Sequence, residues 1–327
     1  MKSAIVTGLR GQDGSYLADQ LIDLGYKVYG MIRRSSQGLD LGCASHLDGH
    51  KDLEVVEGDL LDESGMIRLC RLARPSLFFN MASQSHVGSS FEQPSYTAKA
   101  TGLGVLNCLE GIRLSGIHTK FLQASTSELF GGMSEEPFTE DSPFHPRSPY
   151  GVAKLYGYWI TVNYRESYKM FAVNSICFNH ESERRGSNFV TRKISKAVAR
   201  ISLGLQKELY LGNTAAKRDW GYAPDFTQGM ISMLTNTTHA DDYILATGET
   251  HSVTEFVDLA FQTAGLDKNE YVKIDPSLYR PAEVDVLIGD YSKLFRDTGW
   301  KPTTTFEDLV KKMVKHDIEE ETKKARP

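Results

Sequence analysis

Two residues in the middle of the chain have the types and spacing of a base that takes a proton from an alcohol. Tyr150 and Lys154 stand in the segment "YGVAK", and this spacing puts both on one face of a helix. A lysine ammonium beside a phenol favours the phenolate and lowers a pKa that is about 10 in isolation. The pair therefore predicts proton abstraction from a hydroxyl while a hydride leaves the same carbon.

A carboxylate directly follows a predicted buried strand. The strand-like run "KFLQA" leads into "STSELFG", which places Thr126 and Glu128 just after the strand. A desolvated carboxylate costs free energy unless it is paired or used, so Glu128 needs a reason to be there. Its neighbours predict a catalytic role, and a salt-bridged residue at a strand end is the alternative.

The first strand-like run, "SAIVTG", ends in a glycine-rich turn. Gly8, Gly11 and Gly14 have the spacing G-x-x-G-x-x-G, and "GSYLADQLIDLGY" follows with helical apolar spacing. Glycine permits a sharp turn and lets a pyrophosphate approach the helix N-terminus, where free N–H groups and the helix dipole favour anions. Because the motif lies between a strand and a helix, it predicts a dinucleotide site rather than a merely structural turn.

The end of the second strand indicates which dinucleotide is bound. The run "KVYGMI" is followed by Arg33, Arg34, Ser35 and Ser36, where an NAD site often has Asp or Glu for the ribose 2′-hydroxyl. Arginine and serine suit a 2′-phosphate instead, so the sequence predicts NADP, and a solvated charge pair is the alternative. Asp59, at the end of the third strand, could meet the adenine.

Strand-like and helix-like segments alternate along the first half of the chain, which predicts an α/β fold with a doubly wound parallel sheet. Ser148 and Pro149 predict the start of the helix that carries Tyr150. After about residue 180 the alternation weakens, and basic, aromatic and proline-containing segments follow. We therefore expect a Rossmann domain over 1–180 with later returns to the sheet near 219–262. A smaller C-terminal domain, mostly substrate-binding and interleaved with the first, is expected over 181–327.

The composition limits the classes of partner and the compartment. The chain has 327 residues, 40% of them hydrophobic, with a net charge of −5 and a pI of about 6.0. No basic tract is present, so we expect no nucleic-acid partner. Four scattered cysteines without metal-binding spacing predict reduced thiols and no metal site. The N-terminus goes directly into a strand and no long apolar run follows, which predicts a cytoplasmic protein without a membrane span.

The glycine turn with Thr126, Tyr150 and Lys154 resembles the extended short-chain dehydrogenase/reductases, whose triad is Ser or Thr, Tyr and Lys. Longer blocks resemble one family among them, the GDP-mannose 4,6-dehydratases. These blocks are "QASTSELFG", "PRSPYGVAKLYGYWITVNYRESY", "FNHES.RRG..FVTRKI", "LGN", "RDWG" and "YRPAEVD", and the resemblance extends from near residue 3 to near residue 300. Related sugar-nucleotide dehydratases carry Thr-Asp-Glu, whereas the Thr-Ser-Glu of this chain, with Ser127, resembles the GDP-mannose enzymes.

The resemblance implies a reaction. Oxidation of a hexose at C4 gives a ketone that acidifies the C5–H, and Glu128 would remove that proton. The C6 hydroxyl would leave as water and the hydride would return to C6, which gives a 4-keto-6-deoxy sugar without net redox change. Thr126 would hydrogen-bond the reacting oxygen, and Lys154 would also hold the nicotinamide ribose. Ser127 is a weak acid, so either Glu128 or a neutral Tyr150 would protonate the leaving hydroxyl.

The resemblance also implies the ligand contacts. NADP is the expected cofactor and GDP-mannose the expected substrate; Arg and Lys would neutralise its diphosphate and a Glu would accept from guanine N–H groups. The implied NADP contacts are Gly8, Leu9, Arg10, Gly11, Gln12, Asp13, Arg33, Arg34, Ser35, Ser36, Asp59, Leu60, Met81, Ala82, Ser83, Gln84, Ser85, Tyr96, Lys154, His180 and Arg185. The implied contacts to the GDP moiety are Asn179, Lys193, Arg218, Arg280 and Glu283.

Several alternatives stay open at this point. The substrate could be a GDP-manno-heptose, which differs from GDP-mannose beyond C5. A nucleotide-sugar epimerase or reductase of the same fold would not need Glu128, and a dinucleotide-sensing or scaffold protein would need only the glycine loop. In relatives the segment around the paired arginines reaches a neighbouring subunit and supports a tetramer. The stretch "QGLDLGCASHLDGH" after Ser36 matches that pattern poorly, so a homodimer is expected as well as a homotetramer.

Overall fold

The fold is known from a computed structural model, which describes residues 2–36, 38–131, 133, 137–279, 284 and 286–325. Strands and helices alternate for most of the chain up to residue 177, as the hydrophobic pattern predicts. The elements are β1 Ser3–Thr7, α1 Gln12–Asp23, β2 Lys27–Ile32, β3 Leu53–Glu57, α2 Glu63–Ala73, β4 Leu77–Asn80, α3 Val87–Glu92, α4 Pro94–Thr97, α5 Gly104–Ser115, β5 Lys120–Ala124, α6 Pro149–Tyr168 and β6 Ala172–Cys177. The alternation is broken in two places, because only a short helical turn separates β2 from β3 and three helices separate β4 from β5.

The second half has shorter strands and a less regular order. Its elements are β7 Asn179–Glu181, α7 Val190–Ser202, β8 Leu209–Leu211, β9 Lys217–Arg218, β10 Trp220–Tyr222, α8 Ala223–Thr235, β11 Asp242–Leu245, β12 His251–Ser252, α9 Val253–Ala264, α10 Lys268–Tyr271, β13 Val272–Ile274, β14 Val286–Leu287, α11 Ser292–Thr298 and α12 Phe306–Ala325. Short helical turns of other types cover Gly42–Leu47, Ala98–Leu103, Ser127–Leu129 and Pro276–Leu278.

Seven strands form one parallel sheet in the order β11-β6-β5-β4-β1-β2-β3. Every neighbouring pair in this sheet is parallel. The strand order reverses between β1 and β4, and ligands of open α/β sheets bind in the crevice at the carboxyl ends of the strands at such a point. The predicted doubly wound parallel Rossmann sheet is therefore confirmed, and its topology brings the segments after β1 and β4 together.

Helices cover both faces of this sheet. One face carries α1 and α8, whose apolar side chains join the core formed by Leu17, Leu21, Met230 and Tyr243. The other face carries α2 and α5, with Leu69 among its core residues. A separate hydrophobic core joins α7, α9 and α12. The return of the chain to the sheet is thus made by α8 and β11, whereas α9 packs in the second core. The boundaries of the two predicted domains stay a prediction.

The helix that carries the predicted catalytic pair begins where the sequence predicts. Ser148 Oγ accepts a hydrogen bond of 3.0 Å from the backbone N–H of Gly151, and Pro149 occupies the first helical position. The cap satisfies one of the free N–H groups at the helix start, and the proline has none to satisfy. The first turn of α6 is therefore well determined, and with it the place of Tyr150.

Three further features concern the membrane, metal and redox predictions. Within the described ranges, no helix combines the length and the apolar character needed to cross a bilayer. No group of three or more His, Cys, Asp or Glu side chains in the same ranges could hold a metal ion. All four cysteines are free thiols, and Cys70, Cys108 and Cys177 are buried.

Gly14 lies where the first turn of α1 passes close to the loop after β1. A Cβ added at Gly14 would lie 2.3 Å from the carbonyl oxygen of Gly8 and 2.9 Å from Cα of Leu9. Because both neighbours are backbone atoms, only a movement of the loop or the helix could relieve the contact. We expect Gly14→Ala to lower the free energy of unfolding by about 1–3 kcal/mol, as measured by urea denaturation.

Gly102→Ala is the matched control for this variant. An added Cβ at Gly102 has its nearest neighbour, the carbonyl oxygen of Ala153, at 3.4 Å. Its effect should stay within about 1 kcal/mol, since alanine also restricts the unfolded chain. Equal losses in the two variants would contradict the close approach of α1 to the β1 loop.

Candidate active site

A cavity of about 1450 Å³ opens at the carboxyl ends of β1 to β6. Its walls come from the segments that follow these strands and from the first turns of α6 and α7. The predicted site residues that line it are Gly8, Arg10, Gly11, Gln12, Asp13, Arg33, Asp59, Leu60, Met81, Ala82, Ser83, Gln84, Ser85, Tyr96, Thr126, Glu128, Tyr150, Lys154, Asn179, His180, Arg185, Lys193 and Arg218. The tertiary structure therefore gathers most of the predicted residues, which the sequence spreads over more than half of the chain.

Four predicted cofactor residues lie outside the cavity lining. The side chain of Leu9 is fully buried in the hydrophobic core, where it packs against Gly30. Arg34 reaches out from the surface towards Glu57, with a closest distance of 3.7 Å between Nε and Oε2. Successive residues of an extended segment point to opposite sides, so Arg33 lines the cavity and Arg34 cannot. Ser35 and Ser36 are the other two residues outside the lining.

Two predicted substrate residues cannot be placed. Arg280 and Glu283 lie outside the described residues, so their roles stay predictions. The neighbouring Tyr279 lines the cavity, which brings the start of this segment to its rim.

The glycine-rich turn forms a cradle at one end of the cavity. Gly8 has a φ of +71°, and an added Cβ would lie 3.0 Å from backbone atoms of Ala82, beyond the end of β4. Gly11 caps α1 without a side-chain hydrogen bond, so the first N–H groups of the helix keep no side-chain partner. A helix start of this kind attracts anions, and the backbone is close enough for a pyrophosphate to contact it.

Two buried oxygen atoms at the cavity wall have no hydrogen-bond partner in the part of the chain that the structure describes. They are Oε1 of Gln84 and Oγ of Ser125. Buried polar atoms are nearly always hydrogen-bonded in folded proteins, so these two indicate a bound polar ligand. Together with the glycine cradle they fit a dinucleotide.

Arg33 is held in place at the end of β2. Its Nη1 donates a hydrogen bond of 2.7 Å to the hydroxyl of Tyr96, and both side chains line the cavity. An arginine that is already fixed loses less conformational freedom when it binds a phosphate. The structure thus brings together two residues that the sequence places far apart.

The predicted catalytic pair lies on the buried face of α6. Tyr150 and Lys154 are both buried, and Lys154 Nζ donates a hydrogen bond of 2.6 Å to the carbonyl oxygen of Ala124. The same Nζ lies 5.7 Å from the centroid of the Tyr150 ring. Burial lowers the pKa of Lys154 to about 8, although Cys177 and Asp13 oppose this change.

The predicted lowering of the Tyr150 pKa is wrong for the chain by itself. Burial raises the pKa of this phenol well above its usual range, because the phenolate loses its hydration. The hydroxyl of Thr126 and the guanidinium of Arg185 oppose that rise, and the carboxylate of Glu128 adds to it.

Glu128 lies in the short helical turn Ser127–Leu129 that follows β5. Thr126 Oγ1 accepts a hydrogen bond of 3.2 Å from the backbone N–H of Glu128, which fixes the start of this turn. The carboxylate lines the cavity and is partly buried. Among the described residues it has no ion pair, which removes the support for the salt-bridge alternative. The carboxylate is close enough to Tyr150 to add to the rise of the phenol pKa, so both groups would face the same ligand in the cavity.

The sequence did not predict a ligand contact for a further set of lining residues, most of which lie in loops. His86 caps α3, where its Nδ1 accepts a hydrogen bond of 3.1 Å from the backbone N–H of Ser89, and it also lines the cavity. Loop residues have no periodic pattern, so only the blocks "FNHES.RRG..FVTRKI" and "LGN", which are part of the family resemblance, could have pointed to them. The others include Arg184, Asn188, Phe189, Thr191 and Asn213.

The chain resembles known proteins over nearly its whole length. A family model described as GDP-mannose 4,6 dehydratase matches residues 5–313. The chain is 46% identical to a GDP-mannose 4,6 dehydratase of Cricetulus griseus, over 97% of this chain and 92% of that protein. It is 46% identical to the human protein of the same name, over 97% of this chain and 91% of that one. A GDP-mannose 4,6-dehydratase of Yersinia enterocolitica is 44% identical, over 98% and 95% of the two chains.

Solved structures show the same architecture. DesIV, a dTDP-glucose 4,6-dehydratase from Streptomyces venezuelae with NAD and TYD bound, matches with a TM-score of 0.87 at 21% identity, over 98% of each chain. RMD from Pseudomonas aeruginosa, complexed with NADPH, matches with a TM-score of 0.81 at 23% identity, over 98% of this chain and all of that one. At these identities the likeness concerns the fold alone. The match to the family model and the identities to its members lead to one conclusion: the chain belongs to the GDP-mannose 4,6-dehydratase family.

Proposed function

We propose that the chain converts GDP-mannose to GDP-4-keto-6-deoxymannose and water with NADP as a bound cofactor, and so acts as a hydro-lyase. The observation that carries this proposal is the meeting of Tyr150, Lys154 and Thr126 with a carboxylate, Glu128, that has no ion pair among the described residues. A dehydrogenase or an epimerase of this fold needs only the first three. Membership of the dehydratase family supports the same reading.

The chemistry follows from the charge and position of these side chains. Bound NADP, which Arg33 and the residues of the glycine turn would hold, would supply the hydride acceptor for C4 and the hydride donor for C6. Tyr150 takes the proton of the C4 hydroxyl, and Thr126 hydrogen-bonds the same oxygen. The resulting ketone makes the C5–H acidic, so the Glu128 carboxylate can remove that proton. Loss of the C6 hydroxyl as water then leaves a C5–C6 double bond, and either Glu128 in its protonated form or Tyr150 supplies the proton for the departing oxygen. When the hydride returns to C6, the other of these two residues gives its proton to C5, so that both side chains regain their starting states.

Phenolate formation at Tyr150 must be coupled to binding. A phenol of ordinary pKa, about 10, is already protonated at neutral pH, and burial raises the pKa of Tyr150 further, with Arg185 among the groups that oppose this rise. Lys154, whose own pKa burial lowers to about 8, uses one N–H group of its ammonium for Ala124, and its other N–H groups can hydrogen-bond a ligand hydroxyl that lies between it and the phenol. Bound ligands would therefore be needed to stabilise the phenolate, so that Tyr150 acts as a base only when the substrate is present.

We propose that Arg33, held by Tyr96, reads the 2′-phosphate of NADP. Replacement of Arg33 by Ala should raise the dissociation constant of NADP by about tenfold to a hundredfold, because charge-assisted bonds to a phosphate are lost. The dissociation constant of NAD should change far less. Isothermal titration with both dinucleotides measures the two effects.

Tyr96→Phe is the milder companion variant, since it removes only the hydroxyl that holds Arg33. It should weaken NADP binding by a few-fold, about 1 kcal/mol or less, and leave NAD binding unchanged. Equal weakening of both dinucleotides by Arg33→Ala would show that another residue reads the 2′-phosphate.

The GDP moiety is proposed to lie against Asn179, Lys193, Arg218, Arg280 and Glu283. Lys193 and Arg218 line the cavity and can neutralise a diphosphate. A GDP-manno-heptose remains the second candidate substrate, because the two sugars share every group that the proposed acid–base residues touch.

Incubation with GDP-mannose tests the proposal directly. The product should have lost one water, carry a 4-keto-6-deoxy sugar by NMR, and form without a consumed cofactor. An isomer of unchanged mass would instead establish an epimerase, and no product with intact NADP binding would favour a sensor. A faster reaction with GDP-manno-heptose would move the assignment to that substrate.

Self-association is proposed as well, as a homodimer or a homotetramer. The turn before α5 and the outer face of α6 expose Leu103, Val152, Tyr156 and Trp159, with relative exposures of 45%, 56%, 40% and 54%. Exposed apolar side chains grouped in this way are typical of subunit contacts. Light scattering coupled to size-exclusion chromatography gives the number of subunits, and a monomer would contradict this part of the proposal.

A further inference from the structure

The helix that offers its N-terminus to the cofactor carries an acidic residue in its first turn. Asp13 is the second residue of α1, and it lines the cavity beside the glycine cradle. A carboxylate is itself attracted to a helix N-terminus, where it would occupy the N–H groups and repel a pyrophosphate. The carboxylate of Asp13 would therefore weaken the binding of a pyrophosphate to this cradle, unless another residue neutralises its charge.

His180 is in contact with this carboxylate from β7. Its Nε2 lies 3.0 Å from Asp13 Oδ2, and its Nδ1 lies 2.7 Å from the carbonyl oxygen of Phe178. A carbonyl oxygen can only accept, and so can an ionised carboxylate. Both ring nitrogens must then donate, which requires the positively charged imidazolium form.

The second oxygen of the carboxylate is also engaged. Gln12 Nε2 donates a hydrogen bond of 2.9 Å to Asp13 Oδ1 and one of 3.0 Å to the carbonyl oxygen of His180. With both oxygens held by side chains, Asp13 is not available to the N–H groups of its own helix. The same contacts join the start of α1 to β7 across the floor of the cavity.

The surroundings favour the ionised pair. Burial opposes ionisation of both groups, but their mutual attraction and hydrogen bond lower the pKa of Asp13 to about 2 and raise that of His180 above its ordinary value. The His180 ring is stacked on Phe226 of α8, with 4.9 Å between the ring centroids. The titratable or charged groups that face the pair from neighbouring elements are Arg185 in the loop after β7, Lys154 of α6, Cys177 of β6 and Cys43 of the helical turn Gly42–Leu47.

We propose that His180 is a positioning residue whose positive charge neutralises Asp13 and keeps both of its oxygens away from the N-terminus of α1, so that the pyrophosphate of the dinucleotide can bind there. This inference rests on the proposed use of a dinucleotide cofactor. It assigns His180 a task beyond that of a contact residue: without the imidazolium, the cradle would present a bare negative charge to an anionic ligand.

Binding of NADP to four forms of the protein tests the pair: the unaltered chain, His180→Gln, Asp13→Asn, and the double variant. His180→Gln should raise the dissociation constant of NADP by at least about tenfold, because it leaves the carboxylate uncompensated. Asp13→Asn should have a smaller effect. The double variant should recover most of the affinity that His180→Gln loses, since the repelling charge is gone.

The pH dependence gives a readout that a merely structural role would not produce. His180 has a raised pKa, so its charge is present at low pH and is lost as the pH rises through that pKa. Above neutral pH the phosphates of NADP are already ionised, and the affinity of the unaltered chain should fall as His180 deprotonates. The double variant should show a clearly smaller fall, which leaves only the contribution of Lys154, whose pKa is about 8.

Long-range ¹H–¹⁵N correlation spectra settle the charge state even where a variant fails to fold. The signals of the His180 ring are identified by their loss in His180→Gln or, where that variant does not fold, by slow solvent exchange of the ring protons. In the unaltered chain at neutral pH, this ring should carry protons on both nitrogens. A neutral tautomer there, or a double variant that binds NADP as weakly as His180→Gln, would overturn the proposal. Binding is measured without GDP-mannose, so a failure of the dehydratase assignment leaves this test intact, whereas a chain that binds no dinucleotide would overturn both.

Discussion

Replacement of Glu128 by glutamine is expected to stop dehydration while the first oxidation continues. The amide keeps the size and the position of the side chain on the turn after β5, but it cannot accept the C5 proton. General-base catalysis of this kind contributes about 10²- to 10⁴-fold, and the turnover number for dehydration should fall by that factor. The 4-keto sugar with its C6 hydroxyl intact should accumulate on the enzyme, and exchange of the C5 hydrogen with deuterated water should be lost.

Glu92→Gln is the matched control for this variant, because it removes a second carboxylate that lines the same cavity. No feature of Glu92 predicts a role in proton transfer, so its turnover should stay within about threefold of the unaltered chain. Normal hydrogen exchange at C5 with normal turnover in Glu128→Gln would refute the assignment of Glu128. Equal losses in both variants would indicate a general electrostatic effect of the cavity.

Replacement of Tyr150 by phenylalanine is expected to stop the reaction one step earlier. Without the phenol no group takes the proton of the C4 hydroxyl, so no ketone forms and the C5 hydrogen does not become acidic. The loss in turnover should reach about 10³-fold or more, in the upper part of the range for a lost acid–base group. Neither bound 4-keto sugar nor hydrogen exchange at C5 should be detected, and this distinguishes Tyr150→Phe from Glu128→Gln.

The pH profile of the unaltered chain provides an independent check on Tyr150. Burial raises the pKa of this phenol, so the phenolate is scarce at neutral pH and its fraction grows as the pH rises. The rate of C4 oxidation should therefore increase towards alkaline pH as long as the fold is stable.

Tyr156→Phe is the control for Tyr150→Phe, since Tyr156 lies on the exposed side of the same helix. Its turnover should be close to that of the unaltered chain. If Tyr150→Phe kept more than about a tenth of the original turnover, another group would have to be the base.

The structural setting of each reactive residue could be predicted because each one belongs to a short local sequence pattern. The turn at Gly8 and Gly11 follows an apolar strand and precedes an amphipathic helix, which predicts both the parallel unit and the anion site. The cap at Ser148 and the four-residue spacing after it predict the shared face of Tyr150 and Lys154. Such patterns depend on neighbours within a few residues, and the structure agrees with them.

Other features needed contacts between distant segments. The sequence predicts that Leu9 and Arg34 touch the cofactor, whereas the first packs into the core and the second reaches to the surface. The last residue of a strand can turn either way, and packing against the next layer decides which. Nothing in the pattern around Arg33 indicates that Tyr96 would hold it.

The sequence itself thus determined the order of strands and helices, the glycine cradle and the types of the reactive side chains, because periodicity and short-range spacing encode them. Only the tertiary structure decided that the pKa of Tyr150 is raised rather than lowered, and that Asp13 pairs with His180. Both depend on how far a charge is removed from water and on which partner the fold brings within hydrogen-bond distance. Residues far apart in the chain set these quantities, and no local pattern records them.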